Sequence, residues 1–261
     1  DLRRVDADHD PDMADALALA RQLGSVTARM HIALGSPSEE PDLQPVAFTQ
    51  LYQQSLYQSL RAGVRQELRS IRKLRSHAGP EIASGVEDVL GSEADLLGRL
   101  DPVRRIPMSG SRIRCHGDYR LDEVYFVEGE FIIEDFSGDH NRPLSERRLR
   151  GSPLRDVAQM IRSIDYVALT ASQGLGTEVA AWAAQWSRTV AAAFVVSYLD
   201  AMEGSTLLPD SDEAFDALIN AFVIARSLRE LHWELATRPE MAQAPLRAIL
   251  HMLARDTDVS A

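Results

Sequence analysis

The sequence predicts a mostly α-helical protein of the α+β class that contains one small β-hairpin. Apolar residues recur about every 3.6 positions over most of the 261 residues, which is typical of amphipathic helices. Only between about residues 112 and 133 do apolar and polar residues alternate, which indicates strands. Short strands in a helical chain usually form a platform that aims side chains outward, so we expect functional residues beside the hairpin.

The first hundred residues are predicted to be helical. A helix over residues 12–34 carries apolar residues at helical spacing, and Gly35 and Pro37 end it. A second helix covers about residues 48–74. A third begins at Pro80 and reaches about residue 97.

The segment from residue 110 to residue 140 is predicted to form strands and loops. Residues 112–115 form one predicted strand, in which Cys115 continues the alternation and is expected to be buried. Residues 124–127 and 131–133 are predicted to pair as a hairpin, because Glu128, Gly129 and Glu130 between them suit a tight turn.

Helical periodicity resumes after the hairpin, and helices are predicted over about residues 153–171, 177–202, 212–235 and 246–254. Pro153 suits the first turn of the helix that it opens. The length of 261 residues allows one large domain or two modest ones, with helical stretches over 1–100 and 150–255 on either side of the hairpin segment.

Composition and charge exclude several classes of protein. The formal net charge is −11, so an acidic surface argues against a nucleic-acid partner. The one basic run, residues 142–155, is expected to be structural or to contact an anion. No apolar run reaches the roughly 18 residues of a transmembrane helix, and the charged first ten residues do not resemble a signal peptide. A single cysteine excludes an internal disulfide, which fits the cytoplasm.

Three carboxylates around the hairpin have the spacing of a phosphotransferase site. Asp118 follows His116 by two residues, and Glu123 follows Asp118 by five. After the hairpin comes Asp135, in the sequence Asp-Phe-Ser-Gly. In the protein-kinase template, an Asp two residues after a His is the base, an amide five residues later binds metal, and an Asp-Phe-Gly turn supplies a second metal ligand.

The spacing suggests a role for each of these side chains. Asp118 suits the base that takes a proton from an acceptor hydroxyl. Asp135, with Glu123 beside it, suits Mg²⁺, because that ion prefers carboxylate oxygens. His116 is expected to brace the loop rather than to react. Acidic residues are also common in turns between strands, so a purely structural reading stays open.

Two further blocks carry a resemblance to a known family. The chain reads Arg-Pro-Leu-Ser-Glu-Arg-Arg over residues 142–148 and Ser-Pro-Leu-Arg-Asp-Val-Ala over residues 152–158. Together with the His116 and Asp135 motifs, these blocks resemble bacterial maltokinase. That family is aminoglycoside-phosphotransferase-like and is often fused to the C-terminus of trehalose synthase.

The resemblance implies a protein-kinase-like C-lobe that phosphorylates the anomeric hydroxyl of maltose with ATP and Mg²⁺. It implies that Asp118 is the base and Asp135 a Mg²⁺ ligand, and it puts Glu123 at the family's metal-binding Gln. The sugar pocket would draw on one late helix. The positions there that align with the family's pocket are Arg226, Arg229, Glu230 and Trp233. Trp233 would stack on a sugar ring, or alternatively pack in the core.

The chain also departs from the family pattern. Arg120 replaces a His, and Asp122 and Glu123 replace a Gly and a Gln. The sequence contains no Gly-rich phosphate loop and no strand Lys, so the N-lobe is absent from this chain, which we expect to be a piece of a longer protein.

Two alternatives to an active maltokinase remain open. One is a catalytically impaired, pseudokinase-like module that supports a fused or partner trehalose synthase. The other is a kinase for another sugar or amino sugar.

Overall fold

The computed structural model describes residues 11–254, which form helices and a few short strands. The α-helices are α1 (Pro11–Leu34), α2 (Gln50–Leu74), α3 (Ala83–Gly91), α4 (Glu93–Gly98), α5 (Asp101–Arg105), α6 (Leu144–Arg147), α7 (Leu154–Ala171), α8 (Thr177–Ala201), α9 (Asp212–Thr237) and α10 (Gln243–Ala254). The strands are β1 (Val46–Ala47), β2 (Ser111–Arg112), β3 (Val124–Val127) and β4 (Glu130–Ile133). Short 3₁₀ helices cover Arg75–His77, Leu121–Glu123 and Pro239–Met241.

The chain divides into two compact units, whereas the family resemblance implies a single C-lobe over residues 1–261. The first unit combines the N-terminal stretch up to Phe48 with Ser109–Asp210. The second combines Thr49–Met108 with the C-terminal stretch from Ser211. Each unit therefore depends on contacts between segments that are distant in sequence.

The first unit is built on α1, α7 and α8. Helix α1 packs along α8, and α7 packs against the same helix. The approach of α1 to α8 requires a glycine, because a Cβ on Gly24 would lie only 2.3 Å from the carbonyl oxygen of Phe194. Phe194 and Tyr198 of α8 are fully buried beside this contact.

The β-hairpin lies where the alternation predicts it. Strands β3 and β4 pair antiparallel, with Val124 opposite Ile133 and Val127 opposite Glu130. A two-residue turn joins them, and both Glu128 and Gly129 have positive φ values of 51° and 88°, as a type I′ turn requires.

The predicted strand over residues 112–115 is shorter in the structure. Only Ser111 and Arg112 belong to β2, which pairs with β1, and Ile113 forms a single bridge to Gly151. Cys115 lies beyond the strand and is half-buried, so its assignment as a buried strand residue was wrong. Its thiol instead faces backbone carbonyls, among them those of Ile113 and Gly151.

The second unit is built on α2 and α9, which pack against each other. Their buried faces include Leu68 and Ile71 of α2 and Leu228 and Leu231 of α9. The helix predicted over residues 80–97 is broken into α3 and α4 at Ser92, whose hydroxyl donates to the Asp88 carbonyl.

Side-chain caps define where the two long helices of this unit begin. Thr49 caps α2 by accepting from the N–H of Tyr52, and Ser211 caps α9 by accepting from the N–H of Ala214. Over residues 11–254, no helix combines the length and the apolar character that a membrane crossing requires.

Candidate active site

The loop that carries His116 and Asp118 is fixed by polar side chains of α7. The carboxylate of Asp156 accepts from the backbone N–H groups of His116 and Gly117, at 2.7 and 3.0 Å. One turn further along α7, Gln159 accepts from the N–H of Tyr119 at 2.9 Å and donates to the carbonyl of Gly117 at 3.1 Å. These bonds satisfy a non-helical stretch of backbone and set the direction in which Asp118 projects.

Asp156 is fully buried and remains ionised. Burial by itself would raise its pKa, but the hydrogen bond and charge of His31 at 3.2 Å, together with the N–H of Gly117, lower the pKa below its ordinary value. The other ring nitrogen of His31 lies 3.0 Å from the hydroxyl of Tyr198. A series of buried hydrogen bonds thus runs from Tyr198 of α8 through His31 of α1 to Asp156 of α7, which binds the loop of His116 and Asp118.

The sequence analysis missed Asp156, Gln159 and His31. The available signal was that Asp156 and Gln159 occupy buried positions on a helix whose neighbouring residues are apolar. Buried carboxylates and amides need partners, so such residues identify a polar network even before its partners are known.

Asp118 is accessible and lies beside Arg120. Its side chain is 23% exposed, and its carboxylate oxygen lies 3.4 Å from Nε of Arg120. The same guanidinium also contacts Asp122 at 2.8 Å and Glu123 at 3.0 Å. Asp118 and Glu123 are therefore joined through one cation.

The second predicted loop holds Asp135 in a strained and exposed position. Its φ value is +54°, in the left-handed region, and its side chain is 48% exposed. Hydrogen bonds from the hydroxyl and backbone N–H of Ser137, followed by a weaker contribution from His140, lower the pKa of Asp135. The carboxylate is therefore ionised and open to an approaching cation.

His116 and two glycines bring these two loops into contact. The ring Nε2–H of His116 donates to the carbonyl of Glu134 at 2.7 Å, and the ring lies 4.9 Å from that of Phe136. Gly117 has a φ value of +91°, and a Cβ there would lie 3.2 Å from Cα of Gly138. The loop of the predicted base thus packs on the loop of the predicted metal ligand.

Two arginines of the basic run over residues 142–155 have structural roles. Arg147 donates to the carbonyl of Ser137 at 3.2 Å, and its side chain lies against Gly138. Arg142 lies 3.6 Å from the buried carboxylate of Asp139. Both arginines therefore support the turn that follows Asp135.

The residues present fit a metal that is bound mainly through its nucleotide. In the part of the chain that the structure describes, no three His, Cys, Asp or Glu side chains are grouped so as to hold a metal ion by themselves. Mg²⁺ commonly takes only one or two carboxylates and completes its shell with phosphates and water. Asp135 meets that requirement, whereas the Glu123 carboxylate is already paired with Arg120.

The four positions predicted to bind sugar lie on α9, in the second unit, whereas the two loops belong to the first unit. Arg226 pairs with Glu230 at 3.0 Å. Arg229 lies 3.7 Å from Glu67 of α2. Trp233 is 44% exposed, which argues against its packing in the core, and the Arg238 guanidinium lies 4.7 Å from its ring centre.

Comparison with known sequences finds glucosamine kinases. The chain is 26% identical over 260 residues to a glucosamine kinase from Streptacidiphilus jiangxiensis, with 97% of this chain and 53% of the relative covered. It is 29% identical over 174 residues to a glucosamine kinase from Mycolicibacterium smegmatis, with 66% of this chain and 39% of the relative covered. The chain therefore spans about half the length, or less, of these relatives. No family model matches it.

Comparison with solved structures leads to the same group. A glucosamine kinase in complex with glucosamine, ADP and inorganic phosphate superimposes with a TM-score of 0.76 at 21% identity, covering 95% of this chain and 58% of that one. A second crystal form gives 0.74 at 21% identity, covering 94% of this chain and 54% of that one. These relatives give no support to the maltokinase type or to a trehalose synthase partner. What they show is that this chain has the mostly helical α+β fold found over more than half the length of glucosamine kinases.

Proposed function

We propose that this chain carries the catalytic and metal-binding loops of an ATP-dependent kinase for an amino sugar, with glucosamine as the first candidate. The observation that supports this most is that the His116–Asp118 loop, fixed by α7, packs on the Asp135 loop in a chain whose fold is that of glucosamine kinases. A kinase for another sugar or amino sugar is one of the alternatives that the sequence leaves open. The glucosamine kinase relatives favour an amino sugar over maltose as the substrate.

Asp118 acts as the base in the proposed reaction. A sugar hydroxyl within hydrogen-bond reach of its carboxylate loses its proton to Asp118 while the oxygen bonds to the γ-phosphorus of ATP, and ADP leaves. Protein side chains contribute chiefly position and charge to such a transfer, because its transition state is loose. The partial exposure of Asp118 lets a substrate reach it, and the bonds from α7 limit its movement.

Asp135 would hold Mg²⁺ in this scheme. Bound there, Mg²⁺ would supply positive charge that offsets the negative charge developing during transfer. The lowered pKa of Asp135 keeps its carboxylate ionised at neutral pH without a contribution from the metal.

The remaining nucleotide contacts are proposed to come from outside these 261 residues. The sequence contains neither a Gly-rich phosphate loop nor a strand Lys, and the matched relatives are longer than the region they share with this chain. We therefore propose a kinase-like C-lobe whose nucleotide site is completed by an N-lobe.

Two side chains of α9 suit an amino sugar. Glu230 could pair with a sugar ammonium in exchange for Arg226, which now lies 3.0 Å from it. Trp233 offers an exposed ring face on which a sugar could stack. Arg226 and Arg229 would then donate to sugar hydroxyls.

A catalytically impaired module is the second candidate. The contact between Arg120 and Asp118 favours it. Arg120 would compete with an acceptor hydroxyl for the carboxylate of Asp118, which lies 3.4 Å from its Nε. A sugar panel distinguishes the candidates. The full-length protein is assayed with ATP and Mg²⁺ on glucosamine, glucose and maltose, with ADP release as the measurement.

We expect glucosamine to give a kcat/KM at least about tenfold above the other sugars, equivalent to about 1.4 kcal/mol of transition-state discrimination. A preference for maltose would restore the maltokinase reading. Nucleotide binding without turnover of any sugar would favour the impaired module.

A further inference from the structure

Arg120 holds three carboxylates of the catalytic loop at once. Its guanidinium lies 3.4 Å from Asp118, 2.8 Å from Asp122 and 3.0 Å from Glu123. The Asp122 side chain is 73% exposed, whereas those of Asp118 and Glu123 are only 23% and 21% exposed. The two contacts that involve the proposed site are therefore the better shielded from solvent.

The positive charge of Arg120 offsets repulsion among three neighbouring carboxylates. Three acidic residues within a six-residue stretch repel one another, and the kinase template has a neutral amide at the position of Glu123. A guanidinium is well suited to offset this charge, because it is planar, always protonated and presents several donors in a fixed fork. A lysine ammonium in its place would be a single point charge.

In the kinase template, a metal ion supplies the positive charge at this position. There, two Mg²⁺ ions are held, one by the Asp of the Asp-Phe-Gly turn and one by the amide five residues after the base. In this chain the carboxylate at the second position is paired with Arg120. Asp135, at the first position, lies 3.6 Å from the imidazole of His140 and accepts from the backbone N–H of Ser137.

We propose that Arg120 takes the place of the second divalent cation, so that Glu123 binds Arg120 rather than a metal and the site uses one ion, at Asp135. The proposal rests on the proposed phosphotransfer site, because that site defines which positions hold metal. Arg120 acts here as a positioning residue that joins the base to Glu123. Its charge is present before any substrate arrives, whereas a second Mg²⁺ would have to bind.

The test counts Mn²⁺ ions on the full-length protein with a non-hydrolysable ATP analogue bound, because the metal is held mainly through its nucleotide. Free Mn²⁺ is measured by electron paramagnetic resonance up to about 1 mM, a range that covers weak carboxylate sites. The variants are Arg120→Gln, Glu123→Ala and the double change, with circular dichroism as a check on folding. The matched control is Arg188→Gln, which removes an exposed cation on α8 that donates to Gln185 of the same helix.

We expect Arg120→Gln to bind one more Mn²⁺ than the wild type, because Glu123 then loses the cation that pairs with it and can bind metal. Adding Glu123→Ala should abolish the extra ion. Arg188→Gln, and Glu123→Ala alone, should leave the count unchanged. The proposal is overturned if Arg120→Gln binds no additional ion, or if Glu123→Ala alone loses one.

The ion count and the proposed function can fail separately. Sugar phosphorylation tests the function, whereas the Mn²⁺ count requires nucleotide binding but no turnover. If Arg120→Gln does not fold, Glu123→Ala still decides the proposal, because removing a carboxylate that serves as a metal ligand would lower the count.

Discussion

His116 donates its ring Nε2–H to the carbonyl oxygen of Glu134 across 2.7 Å, which ties the loop of Asp118 to the loop of Asp135. The partner is a backbone atom, so the bond does not depend on the side chain of residue 134. The buried ring of His116 also lies between Tyr119 and Phe136, at 5.3 and 4.9 Å. His116 therefore positions both loops through contacts within the protein.

Replacing His116 should impair turnover through loop geometry. We expect His116→Ala to lower kcat at least about tenfold, because a small displacement of reacting groups is costly in rate. Glu134→Gln is the matched control, since it leaves the accepting carbonyl in place, and it should retain wild-type kcat. Steady-state kinetics on the full-length protein provide the measurement. An equal loss in both variants would contradict the assigned role.

The two loop carboxylates should each be essential. Asp118→Asn removes the base, and Asp135→Asn removes an ionised metal ligand, so either change should reduce sugar phosphorylation at least about a hundredfold. Glu130→Gln alters an exposed carboxylate of the neighbouring hairpin and should have little effect. The rates are measured as ADP release. Near-normal turnover in either Asn variant would refute the assignment of that residue.

Asp156 should stabilise the fold and make it acid-sensitive. Asp156→Asn should lower the free energy of unfolding at pH 7 by about 2–4 kcal/mol, because it weakens bonds to two backbone N–H groups and to His31 in a fully buried site. The control is Asp200→Asn, at an exposed position of α8. Urea denaturation measures the difference.

The pH dependence of that difference follows from the direction of the pKa shift. The pKa of Asp156 is lowered in the folded protein, so its contribution is full above the unfolded value near 3.9 and declines as the pH falls through the folded value. The gap between the wild type and Asp156→Asn should therefore be constant between about pH 5 and 7 and shrink below about pH 4. A gap that widens on acidification would contradict this account.

Two glycines in long helices should respond in opposite directions to alanine. In Gly24→Ala the new Cβ would lie 2.3 Å from the Phe194 carbonyl oxygen, so α1 must move from α8 at a cost of about 1–3 kcal/mol or more. Gly63 of α2 has no atom within 4 Å of such a Cβ, so Gly63→Ala should stabilise by about 0.5–1 kcal/mol. Thermal unfolding measures both, and a neutral Gly24→Ala would refute the close packing.

Trp233 should affect sugar binding more than turnover. If a sugar stacks on its exposed ring, Trp233→Ala should raise the KM for sugar about tenfold, with a smaller change in kcat. Trp182→Ala is the matched control, because Trp182 of α8 is similarly exposed, at 50% against 44% for Trp233. A KM that is unchanged for every sugar in the panel would exclude Trp233 from the pocket.

Features that depend on local pattern could be predicted from the sequence. The long helices α1, α2, α8 and α9 begin and end near the predicted positions, because their buried faces repeat at helical spacing. The β3–β4 hairpin follows from two short apolar runs on either side of a Glu-Gly turn. The break at Ser92 was missed because the apolar periodicity continues from α3 into α4, although Gly91 and Ser92 are residue types that commonly end one helix and begin another.

The candidate site also has a part that the sequence predicts and a part that it does not. The sequence by itself singled out the residues that we propose for the chemistry, Asp118 and Asp135, together with His116 as a bracing residue, because the spacing of such a motif is local. Only the tertiary structure decided what holds them: the partners of the loop around Asp118 lie about forty residues away, at Asp156 and Gln159. A buried hydrogen bond between distant segments leaves no period in a sequence, since its geometry exists only after the helices have packed. Arg120 and Glu123 are only three residues apart, yet their ion pair also could not be predicted, because it depends on the conformation of the folded loop.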